Sequence, residues 1–118
     1  MKESYFITGI GTEVGKTMIS AIVTEALEAD YWKPIQAGDL AYSDTHKIQD
    51  LISNEKTKFH PNAFALKPPM SPHAAAEIDG VEVNSKNIIR PNTDNNLVIE
   101  GAGGLLVPLN ETQTIADL

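Results

Sequence analysis

The stretch that decides the fold is GIGTEVGKT, residues 9–17. It resembles a phosphate-binding loop whose spacing is off by one. The usual form is G-x-x-x-x-G-K-[ST]. Counting back from Gly15, the first glycine should fall at Ile10, but glycine stands at Gly9 and Gly11 instead. Five residues therefore separate Gly9 from Gly15. The flanks decide whether the match has meaning. Upstream, Tyr5-Phe6-Ile7-Thr8 is a short aromatic and β-branched run, which reads as a buried parallel strand. Downstream, Met18, Ile19, Ile22, Val23, Ala26 and Leu27 recur with the period of an amphipathic helix over 16–28. A glycine-rich turn between a strand and a helix is the setting that phosphate binding needs. Successive backbone N–H groups can wrap an anion there, and the helix turns its positive end toward it.

Working outward, Tyr31-Trp32-Lys33 reads as a second strand, stopped by Pro34, with a loop to Tyr42. Ser43 then opens a helix with Ile48, Leu51 and Ile52 on one face. Residues 54–69 show no period, and Lys67-Pro68-Pro69 reads as extended. SPHAAAEIDG, residues 71–80, has a capping Ser71, Pro72 at the first helical position and Gly80 past the end. A further helical segment is expected over 83–89, stopped by Pro91, and then a polar loop at 92–96. Leu97-Val98-Ile99-Glu100 is the third strand candidate, followed by GAGG at 101–104. The closing TIADL resembles a helix's first turn. Strands alternating with helices predict an α/β fold with a mainly parallel sheet, the three-layer P-loop NTPase-like arrangement. Three strands make it incomplete. We expect residues 1–118 to form a single P-loop ATP-binding domain, the N-terminal part of a longer one.

Composition narrows the function classes. The chain has 118 residues, 42% of them hydrophobic, enough for one core. It has no cysteine, which excludes thiol catalysis, disulfides and cysteine metal sites. Sixteen acidic residues against nine basic ones give a net charge of -7. That balance argues against nucleic acid, whose binding rests on phosphate neutralisation. The N-terminal apolar run is too short for a membrane span or signal peptide, and a cytoplasmic location is expected.

Four pieces carry chemistry. In the loop, Lys16 would reach the β/γ-phosphates and the Thr17 hydroxyl would bind Mg²⁺; the bland alternative is a glycine turn before a helix that begins Lys-Thr. LVIEGAGG places Glu100 at a strand's C-terminal end, where a carboxylate can hold the metal, and its glycines allow close backbone approach. A plain strand-end glutamate is the alternative. YWKPIQAGD puts Lys33 at the edge where ligands of open α/β sheets collect, unless it is a surface lysine. Asp44 either favours the helix dipole or adds a second carboxylate near the metal. His46 and His60 read as surface or packing residues, and His73 as a pocket candidate.

Together, these pieces resemble dethiobiotin synthetase of the biotin pathway. The family's loop has the same five-residue gap and reads T-E-V-G-K-T, as Thr12 to Thr17 do. KPIQAG at 33–38 is similar to its K-P-x-x-[ST]-G segment. Ser43-Asp44, PMSPH at 69–73, EGAGG at 100–104 and VPL at 107–109 match as well. The resemblance implies an ATP- and Mg²⁺-dependent ligase that closes a cyclic urea from 7,8-diaminononanoate and CO₂ (or bicarbonate), acting as a homodimer. It implies Lys33 and Lys16 as catalytic residues. ATP would be bound by Glu13, Val14, Gly15, Lys16, Thr17, Asp44, Glu100, Gly101, Ala102 and Gly103. Thr17, Asp44 and Glu100 would hold the metal, and Thr12 and Ala37 would face the substrate. Ala37 departs from the family, which has a hydroxyl residue there. The resemblance also implies a longer family chain, so residues 1–118 alone are expected to bind ATP weakly and turn over poorly. Two other classes compete: an ATPase switch of the partition or targeting type, and a nucleotide-binding module without activity. The switch class carries an extra lysine near the loop start, where this chain has Gly-Ile-Gly.

Overall fold

The computed structural model describes residues 3–8, 15–69, 72–83 and 85–101. Among them, four strands form one sheet in the order β1 (Ser4–Ile7), β6 (Leu97–Glu100), β2 (Asp30–Trp32), β4 (Phe59–His60). A second, two-stranded sheet pairs β3 (Ile35–Ala37) with β5 (Phe64–Leu66). Every one of these pairings is parallel. Three α-helices complete the described part: α1 (Lys16–Leu27), α2 (Asp44–Leu51) and α3 (Pro72–Asp79). This is the α/β, mainly parallel P-loop NTPase-like fold that the alternation predicts.

β6 is the central element. Its four residues are all buried, with β1 on one side and β2 on the other. Side chains alternate across a strand. Val98 therefore joins Ala21, Ala29, Tyr31 and Ile48 in the core under α1 and α2. Leu97 and Ile99 join Trp32 on the opposite face, where Ile88 packs against them. A separate core of Ile35, Leu66, Ala75, Ala76 and Val83 ties α3 to the small sheet.

Several expectations need correction. β1 is parallel but not buried: among the described strands it stands at one edge of the sheet, and Phe6 is 40% exposed. Of the apolar stripe of α1, Val23 packs against the sheet-side core, but most of the stripe faces outward. Met18, Ile19 and Ile22 are exposed, whereas Ser20, Ala21 and Thr24 are buried. Small side chains let the helix approach a sheet surface already filled by Tyr31 and Val98. The expected loop after Pro34 contains β3 and a short 3-10 turn at Leu40–Tyr42, and the aperiodic 54–69 stretch contains β4 and β5. Strands of two or three residues are too short to show a period; parallel partners define them. Lys67, Pro68 and Pro69 form bends instead of an extended run. The helix expected over 83–89 is reduced to a 3-10 turn at Ser85–Asn87; Val83 is buried in the small-sheet core, and Ile88 packs against both that core and the Trp32 core.

The polar loop at 92–96 is anchored to the sheet's lower edge by Asp30. Its buried carboxylate accepts hydrogen bonds from Thr93 Oγ1 (2.6 Å), Asn95 Nδ2 (3.1 Å) and the Lys58 backbone N–H (3.2 Å), and His60 Nε2 lies 2.9 Å away. No helix of the described residues is long and apolar enough to cross a membrane.

Candidate functional site

Parallel strands all end on the same edge, so the fold gathers the residues that follow β2 and β6 at one place. Gly15 adopts a left-handed backbone (φ 72°), which favours glycine, and leads directly into α1. Lys16 and Thr17 are thereby the first residues of a helix packed on β6. Glu100, the last residue of β6, is 1% exposed. Thr17 Oγ1 donates to Glu100 Oε2 at 3.1 Å. Lys33, the first residue after β2, is buried with its ammonium between two carboxylates. It bonds Asp44 Oδ2 and lies 3.7 Å from Glu100 Oε2. Asp44 opens α2, and Lys47 Nζ sits 3.6 Å from its other oxygen.

Charge balance explains the protonation states. Burial pushes the Glu100 carboxyl up, and Asp44 adds to this; Lys33, Tyr31 and Thr17 oppose it without cancelling it. For Asp44, burial also acts upward. The charge and hydrogen bond of Lys33 outweigh it and hold Asp44 below its ordinary value. Burial and the neighbouring Lys33 lower Lys16, while Glu100 and Asp44 partly offset this. Two lysines and two acids thus share one desolvated corner.

A family model described as "AAA domain" matches residues 3–118. Relatives named "ATP-dependent dethiobiotin synthetase BioD" align along the same stretch. That of Christiangramia forsetii is 69% identical over all 118 residues, which cover 57% of the relative. That of Cytophaga hutchinsonii is 54% identical over 98% of this chain and 56% of its own length. The Chlamydia pneumoniae protein is 46% identical over 95% of this chain and 50% of its own. The chain belongs to the AAA-domain family, and it is similar over nearly its whole length to these dethiobiotin synthetases. It spans about half the length of these relatives.

Of the residues that the dethiobiotin synthetase resemblance implies, the structure brings Lys16, Thr17, Lys33, Asp44 and Glu100 together. Gly101 follows directly, its N–H donating to Ile7 O at 2.9 Å and so extending the β1–β6 ladder. Ala37 ends β3, and its methyl packs against the core of Ile35 and Leu66. Thr12, Glu13, Val14, Ala102 and Gly103 lie outside the described residues.

Sequence reading missed two side chains. Tyr31, read only as a strand residue, donates its hydroxyl to Glu100 Oε1 at 2.8 Å. Gln36 is buried; its Oε1 accepts from the Asp44 N–H (3.2 Å), and its Nε2 donates to Gly38 O (3.0 Å). The burial of Gln36 is a tertiary fact, and a buried amide needs partners, so no local signal in the sequence announced this role. His46 supports the start of α2, its Nδ1 accepting from the Ser43 N–H at 2.9 Å. His73 pairs with Glu77 along α3 at 3.2 Å.

Proposed function

We propose that the protein is an ATP-dependent ligase of biotin synthesis, closing the cyclic urea of dethiobiotin from 7,8-diaminononanoate and CO₂, with release of ADP and phosphate. The observation that carries this reading is Lys33 held between Asp44 and Glu100 beside Lys16 and Thr17. The ATPase-switch class carries its extra lysine near the loop start, whereas the second lysine here follows β2 and lies between Asp44 and Glu100.

The donor set fits Mg²⁺. Two carboxylates and one hydroxyl converge, all hard oxygen donors, too few for a closed cage. Among the described residues, no group of three or more His, Cys, Asp and Glu could hold a metal alone. A site of this kind is completed by nucleotide phosphates and water. Thr17, Asp44 and Glu100 would hold the ion, which when bound neutralises charge on the phosphates.

The chain's own residues would do the rest. One amine of the substrate takes up CO₂ as a carbamate. The carbamate oxygen attacks the γ-phosphorus as the bond to ADP breaks. The second amine then attacks the carbamoyl carbon and expels phosphate, each nitrogen losing a proton. Lys16 and the backbone of Glu13 to Thr17 would stabilise the γ-phosphoryl group, with Val14 and Gly15 in that cradle. Lys33 would hold the carbamate and offset its charge. Thr12 and the backbone of Ala37 would line the diamine side. Gly101, Ala102 and Gly103 would let the chain pass close to the nucleotide. No side chain acts as a nucleophile, so catalysis is positioning and electrostatics. We place the reaction in the cytoplasm and in a homodimer, with residues 1–118 as one ATP-binding domain of the working enzyme.

The test uses the full-length protein with ATP, Mg²⁺, bicarbonate and diaminononanoate, following phosphate release. Release should require the diamine. Release of equal rate without it would overturn the proposal.

A further inference from the structure

The tyrosine at position 31 has a chemistry its packing does not require. β2 runs between β6 and β4, and Tyr31 is paired in register with Val98 on one side and Phe59 on the other. Its ring is fully buried with Ala21, Ile48 and Val98, and tilts against Phe59 at 6.1 Å. Phenylalanine would fill that space equally well. A phenol in an apolar core is costly unless its hydroxyl finds a partner. The partner here is Glu100 Oε1, at 2.8 Å.

The two oxygens of Glu100 have different surroundings. Oε1 is taken by the core-side phenol, whereas Oε2 receives Thr17 Oγ1 and faces Lys33 Nζ. The terminal torsion of a glutamate is broad and roughly two-fold, so packing alone does not fix the carboxylate plane. A donor anchored in the core does. We propose that Tyr31 is a positioning residue: its hydroxyl pins Oε1 and so presents Oε2 to Thr17, Lys33 and the magnesium–nucleotide.

The proposal rests on reading Glu100 as a metal-site carboxylate. Preorganised groups of this kind bind their ion more tightly because the ordering is done beforehand. Loss of an outer partner of a metal ligand typically weakens metal affinity by about 10- to 100-fold.

The experiment is calorimetry of ATP binding to the full-length protein at increasing Mg²⁺, with no diamine present. Tyr31→Phe should raise the half-saturating Mg²⁺ by about 10-fold, while ATP binding without Mg²⁺ stays as in the parent. Phe59→Leu disturbs the same packing without touching the hydroxyl; it should lower the unfolding temperature and leave the Mg²⁺ requirement in place. In a Glu100→Gln background, Tyr31→Phe should add no further shift. An unchanged Mg²⁺ requirement in Tyr31→Phe overturns the proposal. An equal shift in Phe59→Leu, or a full additional shift in the double variant, does so too. Diamine-independent phosphate release by the parent protein would sink the synthetase reading alone, because the Mg²⁺ titration still decides the role of Tyr31.

Discussion

Thr17 Oγ1 and Glu100 Oε2 lie 3.1 Å apart, joining the start of α1 to the end of β6 across 83 positions of sequence. This bond marks the corner where two carboxylates with opposite tendencies meet. The folded-state pKa of Glu100 is raised. Its contribution to stability is therefore complete below the ordinary value of 4.5 and is lost as pH rises through the raised value. Asp44 is lowered, so its contribution is present above 3.8 and is lost as pH falls through the lowered value. Glu100→Gln should then unfold at or above the parent's temperature at pH 7, with the difference shrinking on acidification. Phosphate release should fall by about 100-fold. Asp44→Asn should lose about 2 kcal/mol at pH 7, because Lys33 loses a charged partner. Thermal unfolding across pH checks both; a Glu100→Gln protein much less stable than the parent at pH 7 would contradict the assignment.

Gly38 has φ +80°, and a Cβ there would sit 2.5 Å from Pro69 Cβ and 2.6 Å from Pro69 Cα. Relief would require the backbone at Pro69 to move. Gly38→Ala should cost at least about 2 kcal/mol from the left-handed strain and the clash together. Gly38 O also accepts from Gln36, so the register of the 33–38 segment beside α2 should loosen. Urea denaturation reads the loss; a midpoint equal to the parent's would show that this close approach is dispensable.

Glu25 on α1 accepts hydrogen bonds from Ser53 N (2.7 Å), Ser53 Oγ (2.6 Å), Asn54 N (3.1 Å) and Asn54 Nδ2 (2.6 Å). Those of Ser53 and Asn54 together hold its carboxyl at about 2. Since the folded value is depressed, the stabilisation is present above about 4.5 and is lost as pH falls toward 2. NMR titration of the Glu25 carboxyl carbon should show no midpoint near 4.5. Glu25→Gln should remove this part of the acid dependence. A normal glutamate titration would disprove the clamp.

Ser20 Oγ and Thr24 Oγ1 are buried under α1 without a hydrogen-bond partner among the described residues. An unsatisfied buried hydroxyl costs free energy that a methyl or hydrogen does not. Ser20→Ala and Thr24→Val should each be neutral or stabilising by up to about 1 kcal/mol. Ile22→Ser, on the exposed side of the same helix, should change stability by less than about 0.5 kcal/mol. Loss of more than that in Ile22→Ser would mean that the outward face of α1 is covered.

The strand–glycine loop–helix unit was legible because its signals are local. A β-branched run, glycines and Lys-Thr each act within a few residues. The same holds for α2, which starts after Ser43, for α3 between Pro72 and Gly80, and for β6 ending in an acid. Their types follow from capping, proline geometry and strand propensity, which are properties of neighbouring residues. The short strands β3, β4 and β5 were not legible. Two or three residues carry no period; the pairing of β4 with β2 and of β3 with β5 decides them.

The facing of α1 was misleading for a related reason. Its apolar stripe is local, but which side meets the sheet depends on what already fills that sheet. Tyr31 and Val98 leave room for Ser20, Ala21 and Thr24, not for Met18 or Ile22.

From the sequence alone came the α/β class and the choice of Lys16, Thr17, Lys33, Asp44 and Glu100 as residues that the fold brings together. Only the tertiary structure decided how they are held. Tyr31 beneath Glu100 and Gln36 beside Asp44 are contacts between segments 69 and 8 residues apart. They arise because β2 and β6 are parallel neighbours and end on one edge, and because burial there obliges each charge and each amide to find a partner.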